Sequence, residues 1–273
     1  MKIVLKNEIK RAFKEKFFYL ALLLGMVITI SHIFSWSLKY WNYMANLDEY
    51  GSSFFKPASV FDMWIGGCPV PWQAYTYYIL IPLIAAIPYG ISLHEDRKSG
   101  YMKNMILRSG KKNYYLGKYI ANFIAGGLAV VIPLMLNFFI NCALFPAYKP
   151  EVVGLGPIGL KSMFYKVFYT HPIVYILIFF LMDFIYAGLY ANITLIFSEI
   201  VNYKYIVMLG PIFVVIFTNS ILELYNKSDC SSTYFLMGSS STTNGLFVFG
   251  EAIILFIITF GYILYRGRNE EII

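Results

Sequence analysis

Six stretches of the chain are apolar almost without interruption, and the polar residues gather between them. They run from Phe17 to Leu38, Gln73 to Leu93, Tyr119 to Phe145, Ile173 to Phe197, Tyr205 to Leu222 and Leu246 to Leu264. Each holds 18 to 27 residues, where the hydrocarbon core of a bilayer needs ~20 for one helical crossing. The pattern predicts an all-α, polytopic membrane protein, a single domain of six transmembrane helices. Pro82, Pro88, Pro133 and Pro211 fall inside these windows. Neighbouring helices re-satisfy the carbonyls that a proline frees, so kinks rather than breaks are expected.

Composition sharpens this picture. Of 273 residues, 59% are apolar and 14% charged, against 45 to 50% and ~25% in ordinary soluble domains. That balance argues against a water-soluble enzyme, and no loop has the ~100 residues of a separate catalytic domain. Any nucleotide chemistry must then come from another chain, and this one is not expected to be an enzyme. The net charge of +7 has a simpler cause than nucleic acid, because Lys and Arg beside membrane spans stay cytoplasmic. Residues 1–16, 94–118, 198–204 and the tail hold 16 Lys and Arg, while the opposite loops hold six. Both termini are therefore expected in the cytoplasm of a cell that looks bacterial in its Ile, Phe, Tyr and Lys usage. The first window is too long and ends too bulkily, in His32, Phe34 and Trp36, for a cleaved signal peptide. Cys68, Cys142 and Cys230 show no ligand spacing, so neither zinc nor a disulfide scaffold is indicated.

Two polar segments carry more information than charge alone. Leu5, Ile9, Ala12 and Phe13 recur at helical spacing beside Lys6, Lys10, Arg11 and Lys14. This predicts an amphipathic helix over residues 1–16, lying in the headgroup layer against anionic lipid; a plain basic topology anchor is the alternative. Between the second and third windows, residues 94–118 read HEDRKSGYMKNMILRSGKKNYYLGK. Ser99 is suited to cap a short helix, Tyr101, Met102, Met105 and Ile106 form one apolar face, Arg108 suits its last turn and Gly110 its end. Within so short a loop that face has nothing of its own chain to pack on, so it lies on the membrane or enters a partner's groove. Glu95 and Asp96 mixed with seven basic residues favour a protein partner, the plainer reading being a solvated basic loop.

This arrangement resembles the ATP-binding-cassette type 2 permeases, above all the small bacterial half-permeases that export peptides, antibiotics or lipid-linked molecules. The likeness rests on the architecture and on one loop, Glu95, Gly100, Leu107 to Gly110, Tyr114 and Gly117-Lys118. It implies that Glu95, Arg97, Tyr101, Met102, Met105, Ile106 and Arg108 form a coupling helix docked on a cytoplasmic nucleotide-binding subunit. It also implies two copies of that subunit, with ATP and Mg held there and no cofactor on this chain, and a second permease chain, identical or similar.

Other motifs fail in context. Gly154-Leu-Gly-Pro-Ile-Gly159 fits GxGxxG but follows no strand and contains Pro157. Gly117-Lys118 lacks the upstream glycine of a phosphate-binding loop, and His32, His94 and His171 are scattered, with no HExxH.

Polar residues within the windows are costly and mark candidate sites. Asp183 sits near the middle of the fourth, with Asn137, Asn141, Asn192, Thr218 and Asn219 as candidate hydrogen-bonding neighbours. Asp183, Asn137 and Asn141 would line a translocation path or form a latch; a hydrogen bond that only fixes packing is the alternative. Glu251, about two turns into the last window, faces the same choice between a watery vestibule and packing. The outer segments are rich in aromatic residues, Trp41, Tyr43, Tyr50, Phe54, Phe55, Phe61, Trp64 and Trp72 in the first and Tyr234 to Met237 in the last. They suit short helices at the outer leaflet and an amphipathic substrate. Two further classes stay open: a secondary transporter, for which the unequal loop charges show no inverted symmetry, and a membrane immunity or sensor protein that needs no ATPase.

Overall fold

The computed structural model describes residues 1–45, 58–150, 158–159, 162–240 and 245–269, and every regular element among them is helical. Helix α1 spans Lys2–Lys14 and is separated from α2, Lys16–His32, by Glu15 in an extended conformation. A π turn at Ile33–Ser37 carries α2 into α3, Leu38–Ala45. Next come α4 (Val60–Met63) and α5 (Trp72–Ala86), then the short α6 (Ser92–Lys98) and α7 (Tyr101–Ser109). The remainder is α8 (Lys111–Leu144), α9 (Tyr165–Thr170), α10 (Pro172–Ile200), α11 (Lys204–Leu224), α12 (Ser232–Phe235) and α13 (Gly245–Asn269).

Among the described residues five helices are long and apolar enough to cross a membrane: Lys16–Tyr43, α8, α10, α11 and α13. This is the build of a multi-pass membrane protein. The second window, expected as one helix from Gln73 to Leu93, is interrupted. Its helix α5 stops at Ala86 after 15 residues, about 22 Å at 1.5 Å per residue, and a turn over 87–91 follows. Pro82, Pro133 and Pro211 lie inside helices as expected, but Pro88 falls in the break, where its missing N–H ends the ladder. Gly90 makes the turn: a Cβ there would lie 2.3 Å from the Ala86 carbonyl oxygen and 2.8 Å from Thr194.

Helices α8 and α10 form the core, packed along most of their length. Side chains at their crossing are small enough for close approach; a Cβ on Gly126 would stand 2.6 Å from that of Ala191, and one on Gly188 2.6 Å from the Phe123 ring. Helices α2, α5, α11 and α13 surround this pair. Helix α8 begins at Lys111, eight residues before the third window. Its 34 residues run about 50 Å, further than the ~30 Å of hydrocarbon, so its first turns project beyond the apolar layer.

The aromatic segments form short helices, α4 and α12, and parts of both segments are buried in the bundle. Trp64 is fully buried, its ring 5.5 Å from Phe180 and 6.4 Å from Phe138. Phe235, Leu236 and Met237 are buried too. The two segments meet where Ser239 N–H donates to the Gly66 carbonyl at 3.0 Å and Tyr175 donates its hydroxyl proton to the Gly238 carbonyl at 2.9 Å. Trp41, Tyr43 and Trp72 remain exposed, while Tyr50, Phe54 and Phe55, and Gly154 to Pro157 of the glycine motif, lie outside the described residues. Cys68, Cys142 and Cys230 are free thiols.

Candidate functional site

One end of the bundle gathers α1, the 87–91 turn, α6, α7, the start of α8 and the last turns of α10 and α13. Amphipathic helix α1 supplies the first part. Val4, Glu8 and Ala12 recur every four residues and form its buried face, laid against α8 where Gly117 leaves room. Leu5, Ile9 and Phe13 flank that face and are half-buried, while Lys2, Lys6, Lys10 and Lys14 are exposed. The face that packs is thus turned from the expected apolar stripe, and it carries an acid.

Glu8 is fully buried, as is Lys118, and their ion pair is 2.9 Å long. Lys118 also pairs with Asp96 of α6 at 2.8 Å, and Asp96 pairs with Arg11 at 2.8 Å. Tyr89 donates its hydroxyl proton to Glu8 at 2.6 Å and accepts from the Lys118 ammonium at 3.0 Å. Tyr114 donates to Asp96 at 2.7 Å. Two carboxylates and two cations therefore neutralise one another in a water-poor pocket, with two phenols filling remaining hydrogen-bond positions. Such burial is tolerable only when every charge is paired with good geometry. Burial by itself would raise the Asp96 carboxyl, but Lys118, Arg11 and Tyr114 outweigh it and hold Asp96 below its ordinary range. Burial likewise works to lower Arg11, and the Asp96 hydrogen bond with the surrounding negative groups carries it upward instead.

The next residue along α6 faces a second cluster. Arg97 pairs with Glu199 at the end of α10 at 2.7 Å, and Arg266 from α13 pairs with the same carboxylate. Arg97 also donates to the Ser198 carbonyl at 3.4 Å, and Lys98 to that of Asn202 at 3.4 Å. Adjacent residues Asp96 and Arg97 thus fasten one short helix to α1 and α8 on one side and to α10 and α13 on the other.

Helix α7 hangs from this anchored segment between two glycines in conformations that strain any other residue. Gly100 has φ 73° and Gly110 has φ 80°. Gly100, not Ser99, occupies the N-cap; Ser99 closes α6 and its hydroxyl donates to the Asp96 carbonyl. Gly110 ends α7 as expected. The apolar face of α7 is not bare, contrary to expectation. Met102 and Ile106 are buried in a cluster with Leu93, Tyr114, Tyr115, Tyr119, Leu195 and Ile263, and Met105 packs beside it. Tyr101 is covered by the Arg11 guanidinium, 4.3 Å from the ring centroid. The short loop finds its partner because α8 starts early and brings three tyrosines beside α7. What α7 leaves to solvent is Lys103, Asn104, Leu107 and Arg108, with Lys112 and Glu95 nearby in sequence and also exposed.

The structure therefore brings Arg97, Tyr101, Met102, Met105 and Ile106 into one assembly and adds Glu8, Arg11, Tyr89, Lys118, Glu199 and Arg266 to it, while Glu95 and Arg108 stay exposed at its surface. The other candidates lie elsewhere. Asn137 accepts from Ile65 N–H at 3.0 Å and donates to the Thr29 carbonyl at 3.2 Å, while Asn141 donates to the Asn137 carbonyl at 2.8 Å. They join α8 to α2 and to the Trp64 segment and do not reach Asp183. Asn192 faces Asn122, and Asn219 holds Thr233. Asp183 is fully buried with no hydrogen-bond partner for either oxygen among the described residues, within electrostatic reach of Tyr77 and Tyr78. The expected asparagine and threonine neighbours are engaged by other groups. Glu251 accepts a long hydrogen bond from Tyr190, 3.4 Å, and lines a cleft between α11 and α13. Among the described residues no group of His, Cys, Asp and Glu is placed to hold a metal. Comparison with protein-family models, curated proteins and solved structures finds no match to this chain.

Proposed function

We propose that the chain is the membrane-spanning subunit of an ATP-binding-cassette exporter that moves an amphipathic peptide, antibiotic or lipid-like molecule outward. In this reading α5 and the 87–91 turn complete a sixth crossing, both termini are cytoplasmic, and the protein resides in a bacterial cell membrane. The basic end is then the cytoplasmic end, with α1 lying at the lipid interface. The exposed face of α7 receives a nucleotide-binding subunit, two copies of which, carrying ATP and Mg, serve a pair of permease chains.

The observation that carries the proposal is the divided anchorage of α6. Asp96 and Arg97 enter separate ion clusters, so a displacement of α6 and α7 strains α1 and α8 through one and α10 and α13 through the other. A partner that grips α7 in one nucleotide state and shifts it in another would bias the whole bundle, which requires contacts that differ between the two states. The contact surface is Lys103, Asn104, Leu107 and Arg108 rather than Tyr101 and Met105, which are engaged with their own chain.

The test is affinity purification from the native membrane, with mass spectrometry and ATP hydrolysis of the eluate. The natural chain should retain an ATPase, and Leu107→Asp with Arg108→Glu should lose it at equal membrane expression. An eluate free of ATPase in several mild detergents, or an ATPase retained in full by the double variant, overturns the proposal and moves the immunity and secondary-transport readings ahead.

A further inference from the structure

Helices α11 and α13 both pack on α10 but leave a cleft between them. Its volume is about 550 Å³, and its walls include Val214, Leu222, Phe247, Ile254 and Ile258. One end is closed by the 228–235 segment. Ser231 donates to the Asn219 side-chain oxygen at 2.6 Å, and the Asn219 amide donates to Thr233 at 2.9 Å. Gly250 also lines the cleft, and a Cβ there would have nothing within 4 Å. Among the lining residues Glu251 is the one Asp, Glu, Lys or Arg. No basic side chain pairs with it among the described residues, and its hydrogen bond from Tyr190 is long at 3.4 Å.

We propose that this cleft binds a single-chain amphipath bearing an ammonium group, with the chain against the aliphatic walls and the ammonium on Glu251. The size suits a small occupant, since ligand pockets fall between ~300 and 1,000 Å³ and the cleft lies within that range. The charge selects the head. An acid within an apolar wall marks a functional site by default, and it is best satisfied by a cation brought with the ligand. An anionic amphipath would be repelled. The Phe247 ring of the same cleft is already approached by an ammonium of the chain, Lys227 Nζ, 5.9 Å from its centroid, so Glu251 and not that ring is the place for the ligand's cation.

The experiment uses the purified full chain in phosphatidylcholine nanodiscs, without any ATPase, so its failure leaves the coupling proposal untouched. A diazirine-tagged dodecylamine is photoactivated, and its adducts are mapped by mass spectrometry in competition with dodecylamine, dodecanol and phosphatidylethanolamine. Adducts are expected on residues of the 214–222 and 246–258 stretches, displaced by dodecylamine and poorly by the other two. Glu251→Gln should weaken the amine about tenfold, some 1.4 kcal/mol, and leave dodecanol unchanged. Gly250→Leu, which fills open space, should abolish labelling while the chain keeps its elution profile. The proposal is overturned by adducts elsewhere or between two copies, by labelling unchanged in either variant, by dodecanol competing as well as the amine, or by phosphatidylethanolamine competing equally, which would assign the cleft to a membrane lipid.

Discussion

Helices α10 and α13 have nearly the same hydropathy, 2.1 and 2.3 in their most apolar windows, yet 61% of that window is buried in α10 and 17% in α13. Hydropathy measures transfer into hydrocarbon, and both helices satisfy it. What separates them is what stands among the apolar residues. The buried residues of α10 include Ala187, Gly188, Ala191, Asn192, Thr194 and Ser198, small or hydroxylic groups through which α8 approaches on one side and α5 or α13 on others. In α13 the fully covered positions among the described residues reduce to a seam at Val248, Thr259 and Ile263, while large apolar side chains such as Phe249, Ile253, Ile257 and Ile258 face outward. Small and polar residues report a protein neighbour inside a membrane, where large apolar ones are equally content against lipid. The basic end extends the contrast, for there burial is tied to paired charge.

The sharpest way to break this comparison is to unpair the buried charges. Lys118→Met leaves Glu8 and Asp96 buried beside each other, and loss of one partner of a buried ion pair costs about 3 to 5 kcal/mol. Thermal melting of the purified chain should drop accordingly, with α1 gaining rapid hydrogen exchange first; a melting point equal to that of the natural chain would refute the buried cluster. Next in size is Gly188→Val on the crossing of α8 and α10, where the new side chain meets the Phe123 ring. Overpacking of this kind costs about 1 to 3 kcal/mol, read by the same melting curve, while Gly250→Val on α13 should leave it unchanged.

A smaller effect is set by pH. Because the folded-state value of Asp96 lies below its ordinary one, its carboxylate contributes stability that is present above the ordinary range near pH 4 and is lost as pH falls through the lower folded value. Protection of the α1 and α6 amides, taken relative to the intrinsic exchange rate at each pH, should therefore be flat from pH 8 to 5 and fall at more acid pH, and Asp96→Asn should weaken protection at neutral pH and blunt that fall. The smallest effect is expected at Ile257, exposed on α13. Ile257→Ala should shift stability by less than about 0.5 kcal/mol; a loss as large as that of Gly188→Val would mean that this face is covered.

Much of the helical scaffold was legible from apolar run length alone. The ends of α10, α11 and α13 fall close to the windows, and Gly110 ends α7 where the spacing put it. Pro88 announced a disturbance, but only the packing of Gly90 against Ala86 and Thr194 shows that the chain turns there instead of bending. The loop chemistry was half legible. Arg97 and the α7 face were visible as charge and periodicity, whereas Glu8, Glu199 and Arg266 were not singled out by any spacing or motif. A signal for Glu8 existed in its register, four residues from both Val4 and Ala12, yet reading it required knowing that α8 covers that side. Asp183 was conspicuous in sequence, but the amides near it by spacing are taken by the main chain of α2 and α8, and by Ile65 N–H.

The sequence by itself determined that this chain is helical, that its long apolar helices suit a membrane, and that its basic residues gather in the segments about α1, α6 and α7. Those properties follow from transfer free energy and backbone periodicity, which are local. Which acid meets which base, which face of each helix is covered, and where a cleft is left open were decided only in the tertiary structure. Pairing energies in a water-poor interior depend on distances of about 3 Å between residues as far as 110 positions apart, and no local pattern encodes them.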